Sequence, residues 1–233
     1  MFGTADAARS SLNLLVLDTA TDRCALACSV NGEVFENTRS IPRLHNQYLL
    51  QMLNELMESA QISPRQLDLI GFAAGPGSFT GIRISAAVSQ ALALAADARV
   101  IPLESSYLLA HAAKRQGLVS AQDPSHVQTV LRSRKNFAYL SAFNYSPSGE
   151  FERLTDDVLM TDDVLQRRVV PEGAVRVMDG TEEDAALVGA LRAAVDVRDL
   201  LDVSVQKHRA DHTLPPEGAQ PRYVEGDTPW IPR

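Results

Sequence analysis

Residues 73–85 read A-A-G-P-G-S-F-T-G-I-R-I-S. Gly75, Gly77 and Gly81 would let a backbone come close to a ligand. Thr80 can cap the helix that follows, and a helix N-terminus offers free N–H groups to an anion. With Ser78 and Arg83 beside them, these residues could hold a phosphate. A P-loop would need Lys-Ser/Thr after its last glycine, and here Ile82 follows; a dinucleotide fingerprint would need glycine at position 80, where Thr80 stands. Two readings stay open: an anion site, or a tight strand-to-helix connection. A second candidate is D-T-A-T-D (18–22). Asp18 at a strand end, followed by hydroxyl residues, could hold a hydrated Mg²⁺ or face a phosphate. The same residue types also build ordinary turns. H-R-A-D-H (208–212) places two histidines four apart, a spacing that can bind a metal on a helix. Pro215 and Pro216 follow closely, and no third ligand is evident, so no metal site is expected. There is no G-x-S-x-G nucleophile elbow.

The elements that position these residues read clearly in the first half. L-N-L-L-V-L-D (12–18) is a buried strand, C-A-L-A-C-S-V (24–30) a second, and Asn31-Gly32 a hairpin turn into a third at 33–38. Cys24 and Cys28 share one strand and lie roughly 13 Å apart, too far for a bridge or a shared metal, so they read as buried small apolar side chains. Residues 45–60 form a helix with Leu49, Leu53, Leu56 and Ala60 facing inward, and Tyr48 and Met52 widening the apolar face. A strand at 67–74 leads through the glycine turn into a helix at 80–96, and 100–103 is a short strand. A helix near 104–116, strands near 127–132 and 136–144, a mixed stretch, a strand at 175–180 and a helix at 182–194 follow. The proline-rich tail is expected to be extended. On helix 80–96, Gly81, Ser85, Ser89 and Ala93 form a stripe of small residues that lets another helix approach, with Ile84, Val88, Ala91 and Ala95 beside it.

A length of 233 residues suits one large domain or two lobes, and 45% apolar residues can fill a core. The net charge of −7 argues against free-standing binding to a nucleic-acid backbone, though not against a place beside a basic partner. Two cysteines fit a reducing cytoplasm. No run reads as a bilayer span, and the first eleven residues read as a loose extension rather than a signal peptide.

L-V-L-D-T-A-T-D (15–22), H-N-Q-Y-L-L (45–50) and G-F-A-A-G-P-G-S-F-T-G-I-R-I-S (71–85) resemble the bacterial TsaB (YeaZ) family; the likeness covers 12–110 and returns at P-R-Y-V (221–224). The resemblance implies an α/β, two-lobed actin-like (ribonuclease H-like) fold, each lobe a mixed sheet flanked by helices. The first lobe would be 1–103 with 215–233 packing back on it, and the second, smaller lobe 104–214. It implies a non-catalytic subunit in the synthesis of threonylcarbamoyladenosine beside the anticodon of tRNA. Its partners would be the TsaD paralogue, the TsaE ATPase and a second copy of itself, with tRNA met only through the complex. The catalytic paralogue carries H-x-x-x-H where this chain has Ser105 and Leu109, and serine and leucine cannot replace imidazole on a metal. The second lobe has M-D-G-T (178–181) where an adenosine loop would lie, and Arg132 where the family usually has Asp. No cofactor is implied for this chain alone; ATP or ADP with Mg²⁺ would belong to the assembled complex, near Asp18, Gly75, Gly77, Ser78, Thr80, Gly81 and Arg83. The expected docking residues are Tyr48, Leu49, Met52, Ile82, Ile84, Ser85, Val88 and Ser89. The alternative is a small-molecule kinase of the same fold, using Asp18 and the glycine turn.

Overall fold

The structure is a computed structural model that describes residues 12–120, 122, 125–147 and 149–224. The expected N-terminal extension and the last part of the tail lie outside them. Among the described residues two compact units emerge, one of 12–104 with 196–222, the other within 105–195.

In the first unit, β1 (Leu14–Asp18), β2 (Arg23–Val30) and β3 (Glu33–Ser40) form the expected antiparallel meander. Asn31 and Gly32 both sit at positive φ, as a two-residue hairpin turn requires. Strands β4 (Leu69–Gly75) and β5 (Arg99–Glu104) add in parallel, giving the order β3-β2-β1-β4-β5. All of β1 and β4 is buried. Leu15 and Leu17 face a core shared with α1 (His45–Ala60) and α2 (Phe79–Ala96), while helix α6 (Val197–Arg209) also packs on β1, β2, β4 and β5. Central strands with helices on both faces have no solvent side, hence their unbroken apolar runs.

In the second unit, β6 (His126–Arg134), β7 (Phe137–Tyr145) and β8 (Phe151–Thr161) are antiparallel, and β9 (Ala174–Asp179) and β10 (Leu191–Arg192) follow in parallel. The order β8-β7-β6-β9-β10 repeats that of the first sheet. Helices α3 (Ser105–Arg115), α4 (Asp162–Arg167) and α5 (Glu182–Leu187) belong to this unit. Arg176 is buried beneath it and donates to Gln128 and to the carbonyls of Leu165, Arg168 and Val188, so it stitches the ends of α4 and α5 to β9.

Four expectations are corrected. The helix expected at 182–194 ends at Leu187, and the chain turns at Gly189 into β10. Strand β8 was not foreseen: its burial does not alternate cleanly, and the β7–β8 register shifts where Thr155 to Val158 pass Leu140 to Ala142. Helix α6 lies within the expected second lobe but belongs to the first unit. Its start is set by a reciprocal cap, with the Asp196 N–H donating to Asp199 and the Asp196 carboxylate accepting from Arg198. Finally, α2 has the length and apolar composition of a membrane span, although no such run was expected; its buried residues are committed to the first sheet.

Helix α6 seals the second face of the first sheet, with Leu200, Leu201 and Val203 fully or nearly fully buried. Leu201→Ala is therefore expected to cost about 2–5 kcal/mol, read as a lower urea midpoint; a change inside experimental scatter would show that α6 does not stabilise this unit.

Candidate functional site

The glycine turn is built against the β1–β2 turn rather than around a cavity. Gly75 has φ +120°, and its bond to Pro76 is cis. Ser78, not Thr80, caps α2: its hydroxyl accepts from the Gly81 N–H at 3.3 Å, while Thr80 is exposed. The Ser78 N–H donates to the Ala20 carbonyl at 2.7 Å. The buried Thr19 hydroxyl donates to the Gly81 carbonyl at 2.7 Å. Asp18 is spent on the same turn, its carboxylate accepting from the Ala20 N–H at 2.7 Å. A Cβ on Gly77 would stand 2.7 Å from the Ala20 carbonyl oxygen, and one on Gly81 would overlap the Thr19 carbonyl oxygen. From the third side, the Arg222 N–H donates to the Ala74 carbonyl at 2.7 Å, and the Arg222 carbonyl oxygen lies 2.7 Å from where a Gly75 side chain would begin. The Arg222 guanidinium pairs with Glu104.

A phosphate does not fit directly against the three glycines within this chain. The space against the three glycines is filled by the carbonyl oxygens of Thr19, Ala20 and Arg222, which repel an anion, and the Gly81 and Ile82 N–H groups are engaged by Ser78. Arg83 lies exposed over the Phe79 ring, 3.6 Å from its centre. Of the residues expected near a nucleotide in the assembled complex, Asp18, Gly75, Gly77, Ser78 and Gly81 take part in a backbone interlock within this chain, while Thr80 and Arg83 are exposed. Thr19 and Ala20, which carry that interlock, were not singled out from sequence, because their partners lie about sixty residues away.

The equivalent turn of the second unit, Asp179–Gly180–Thr181 between β9 and α5, is closed by charge. Thr181 caps α5, accepting from the Asp184 N–H and donating to its carboxylate at 2.8 Å. Arg132 near the end of β6 reaches Asp162 at 2.6 Å and Asp184 at 3.3 Å. The Thr181 hydroxyl first, and Arg132 with it, hold the Asp184 carboxyl below the usual carboxylate range. Leu109, which the resemblance would place on a metal-ligand position of the catalytic paralogue, is fully buried in the core. His208 and His212 do not share a helix face, since α6 ends at Arg209 and Asp211 turns at positive φ. Burial pushes the Cys24 thiol up to about 11 and the Cys28 thiol up to about 12, so neither is a nucleophile at neutral pH.

The expected docking residues divide by burial. Leu49, Met52, Ile82, Ser85 and Ser89 lie inside the unit, and Ser85 donates to the Ala73 carbonyl at 2.7 Å, so a partner cannot reach them. Tyr48 is exposed, and Ile84 and Val88 are half-buried. The outward side of α2 is instead formed by Ala87, Ala91, Leu94 and Ala95, with Leu94 61% exposed; Leu50 on α1 is equally exposed. These positions recur at helical spacing, the one signal in the sequence that could have found them.

Two units of identical mixed-sheet topology, each with a closed strand-to-helix turn, define a two-lobed protein of the actin-like class. The family model described as TsaD: tRNA N6-adenosine threonylcarbamoyltransferase matches residues 36–195. The tRNA threonylcarbamoyladenosine biosynthesis protein TsaB of Haemophilus influenzae is 28% identical over 94% of this chain and 96% of its own. The Escherichia coli protein of the same name is 23% identical over 94% and 97%. The structure of YeaZ from Pseudomonas aeruginosa superposes with a TM-score of 0.76 at 27% identity, covering 91% of this chain and all of that one. The chain belongs to this family, in its TsaB (YeaZ) group.

If the interlock is what the glycines serve, Gly81→Ala must push apart two backbones. A loss of about 3 kcal/mol is expected, although alanine favours a helix by about 1 kcal/mol. Chemical denaturation measures it, and a neutral or stabilised variant would mean that the turn has room to spare.

Proposed function

We propose that this chain is a subunit without chemistry of its own in tRNA threonylcarbamoyladenosine formation. It docks a TsaD-type transferase paralogue through α2, and a TsaE-type ATPase joins that complex. The work is done in the cytoplasm, and tRNA meets the chain only in the assembly. The observation that carries this reading is the outward side of α2: past Thr80 and Arg83, the exposed Ala87, Ala91, Leu94 and Ala95 form an apolar patch, flanked by the half-buried Ile84 and Val88. Such a face is favoured by covering it with another helix, and its small alanines let a partner backbone come close. Tyr48 and Leu50 of α1 add exposed apolar surface within the same unit. The closed glycine turn supports the absence of phosphoryl transfer by the chain itself, and Ser105 and Leu109 support the absence of a metal centre. When the paralogue is missing, a second copy takes the same face.

The test is product formation on unmodified tRNA with threonylcarbamoyl-adenylate, the paralogue and the ATPase, with and without this chain. Product is expected to depend on it. Leu94→Arg should weaken the heteromer at least about thirtyfold, the equivalent of about 2 kcal/mol for a buried interface anchor. It should leave the unfolding free energy within about 0.5 kcal/mol, as for an exposed position. Normal assembly of that variant in gel filtration, or product formation indifferent to the chain, would overturn the proposal.

A further inference from the structure

A chain with 29 acidic residues and a net charge of −7 repels a phosphate backbone over most of its surface. The β6–β7 hairpin departs from that balance. Residues 124–149 contain no Asp or Glu, and the tip reads R-S-R-K-N-F (132–137). Arg134, Lys135 and Asn136 are exposed there, with Asn136 at φ +66° closing the turn. The tip is held in place. The Asn136 carbonyl accepts from the Asp162 N–H at 3.0 Å, and the Arg134 guanidinium stacks over the Phe137 ring, 4.3 Å from its centre. Arg132, one turn of the ladder below, neutralises the carboxylates of Asp162 and Asp184, the acids that would otherwise stand beside the tip. The hairpin thus carries two exposed cationic side chains on a fixed backbone, one of them planar and stacked, with Asp162 and Asp184 paired to Arg132.

We propose that this hairpin contacts the phosphate backbone of the tRNA in the assembled complex, with Arg134 and Lys135 as the contact residues. The inference rests on the function proposed above, which supplies the RNA. A stacked guanidinium suits a phosphate because its donors lie in one plane and its own ring contact limits the rotamer freedom lost on binding. A role in positioning rather than sequence reading is expected, since backbone contacts carry no base information.

The probe is a fluorescently labelled tRNA transcript with adenosine following its anticodon, titrated with the full chain assembled on its TsaD-type paralogue. Anisotropy is read from 50 to 300 mM salt. The double substitution Arg134→Gln/Lys135→Gln should weaken binding several-fold and lower the slope of log affinity against log salt by about 2, one for each phosphate contact. Gel filtration of the heteromer should be unchanged. An unaltered affinity and slope in a normally assembled complex would overturn this inference alone. So would loss of assembly in the variant, which would make the hairpin a protein contact. Failure of the wild-type chain to assemble with the paralogue would overturn the proposed function, and this inference with it.

Discussion

The first unit depends on two turns that hold each other by their backbones. Ser78 N–H to Ala20 carbonyl, and Thr19 hydroxyl to Gly81 carbonyl, are both 2.7 Å, and no side chain can be inserted at Gly77 or Gly81 without breaking them. A neutral hydrogen bond contributes about 1 kcal/mol net, but an orphaned buried carbonyl or hydroxyl costs about 1–3 kcal/mol. The turns therefore stabilise less by what they add than by what their separation would expose. The glycines face carbonyl oxygens, and the sequence of the turn is compatible with that or with an anion site.

That ambiguity marks the limit of what could be read from the residues. Asn31-Gly32 announces its hairpin, and the Leu49, Leu53, Leu56, Ala60 spacing announces α1 to the residue, because each signal is local. The burial of Ser85 and Ser89 is different. A serine stripe on a helix is equally suited to a close-packed partner or to the sheet beneath, and the Ser85 bond to Ala73, twelve residues back, decides for the sheet. Once that side is inward, the alanine and leucine side must be outward, so a single hydrogen bond marks which stripe faces the sheet. Strand β8 escaped because Thr155, Asp156 and Asp157 interrupt its alternation where the register shifts. Helix α6 escaped because its valines favour strand, and its aspartates read as turn until Asp196 and Asp199 are seen to cap each other's backbone.

The two units close the same topological position by different physics. The first rests on an uncharged pair of bonds between its turns, one main-chain and one from the Thr19 hydroxyl. The second uses Arg132 between Asp162 and Asp184, with side chains partly exposed. Partly exposed ion pairs contribute up to about 1 kcal/mol each and are screened by salt. The charged closure thus adds modest stability, and its larger effect is to cancel two carboxylates at the foot of a basic hairpin.

For a docking helix, what counts is that its face is fixed before a partner arrives. The N-terminus of α2 is pinned by the turn interlock. Along its flank Gln90 donates to the Pro216 carbonyl at 3.3 Å, and the segment carrying Pro216 is itself anchored by paired bonds between Val100 and Leu214. The inward side is held by Ser85 and by a core that takes in Ala86 and Ala93. A helix restrained at its end, side and base has little orientational freedom left to lose, and association then costs less than it would for a mobile segment. In the assembly proposed above, the glycines that first suggested a phosphate would serve binding by setting the angle at which an apolar helix meets its partner.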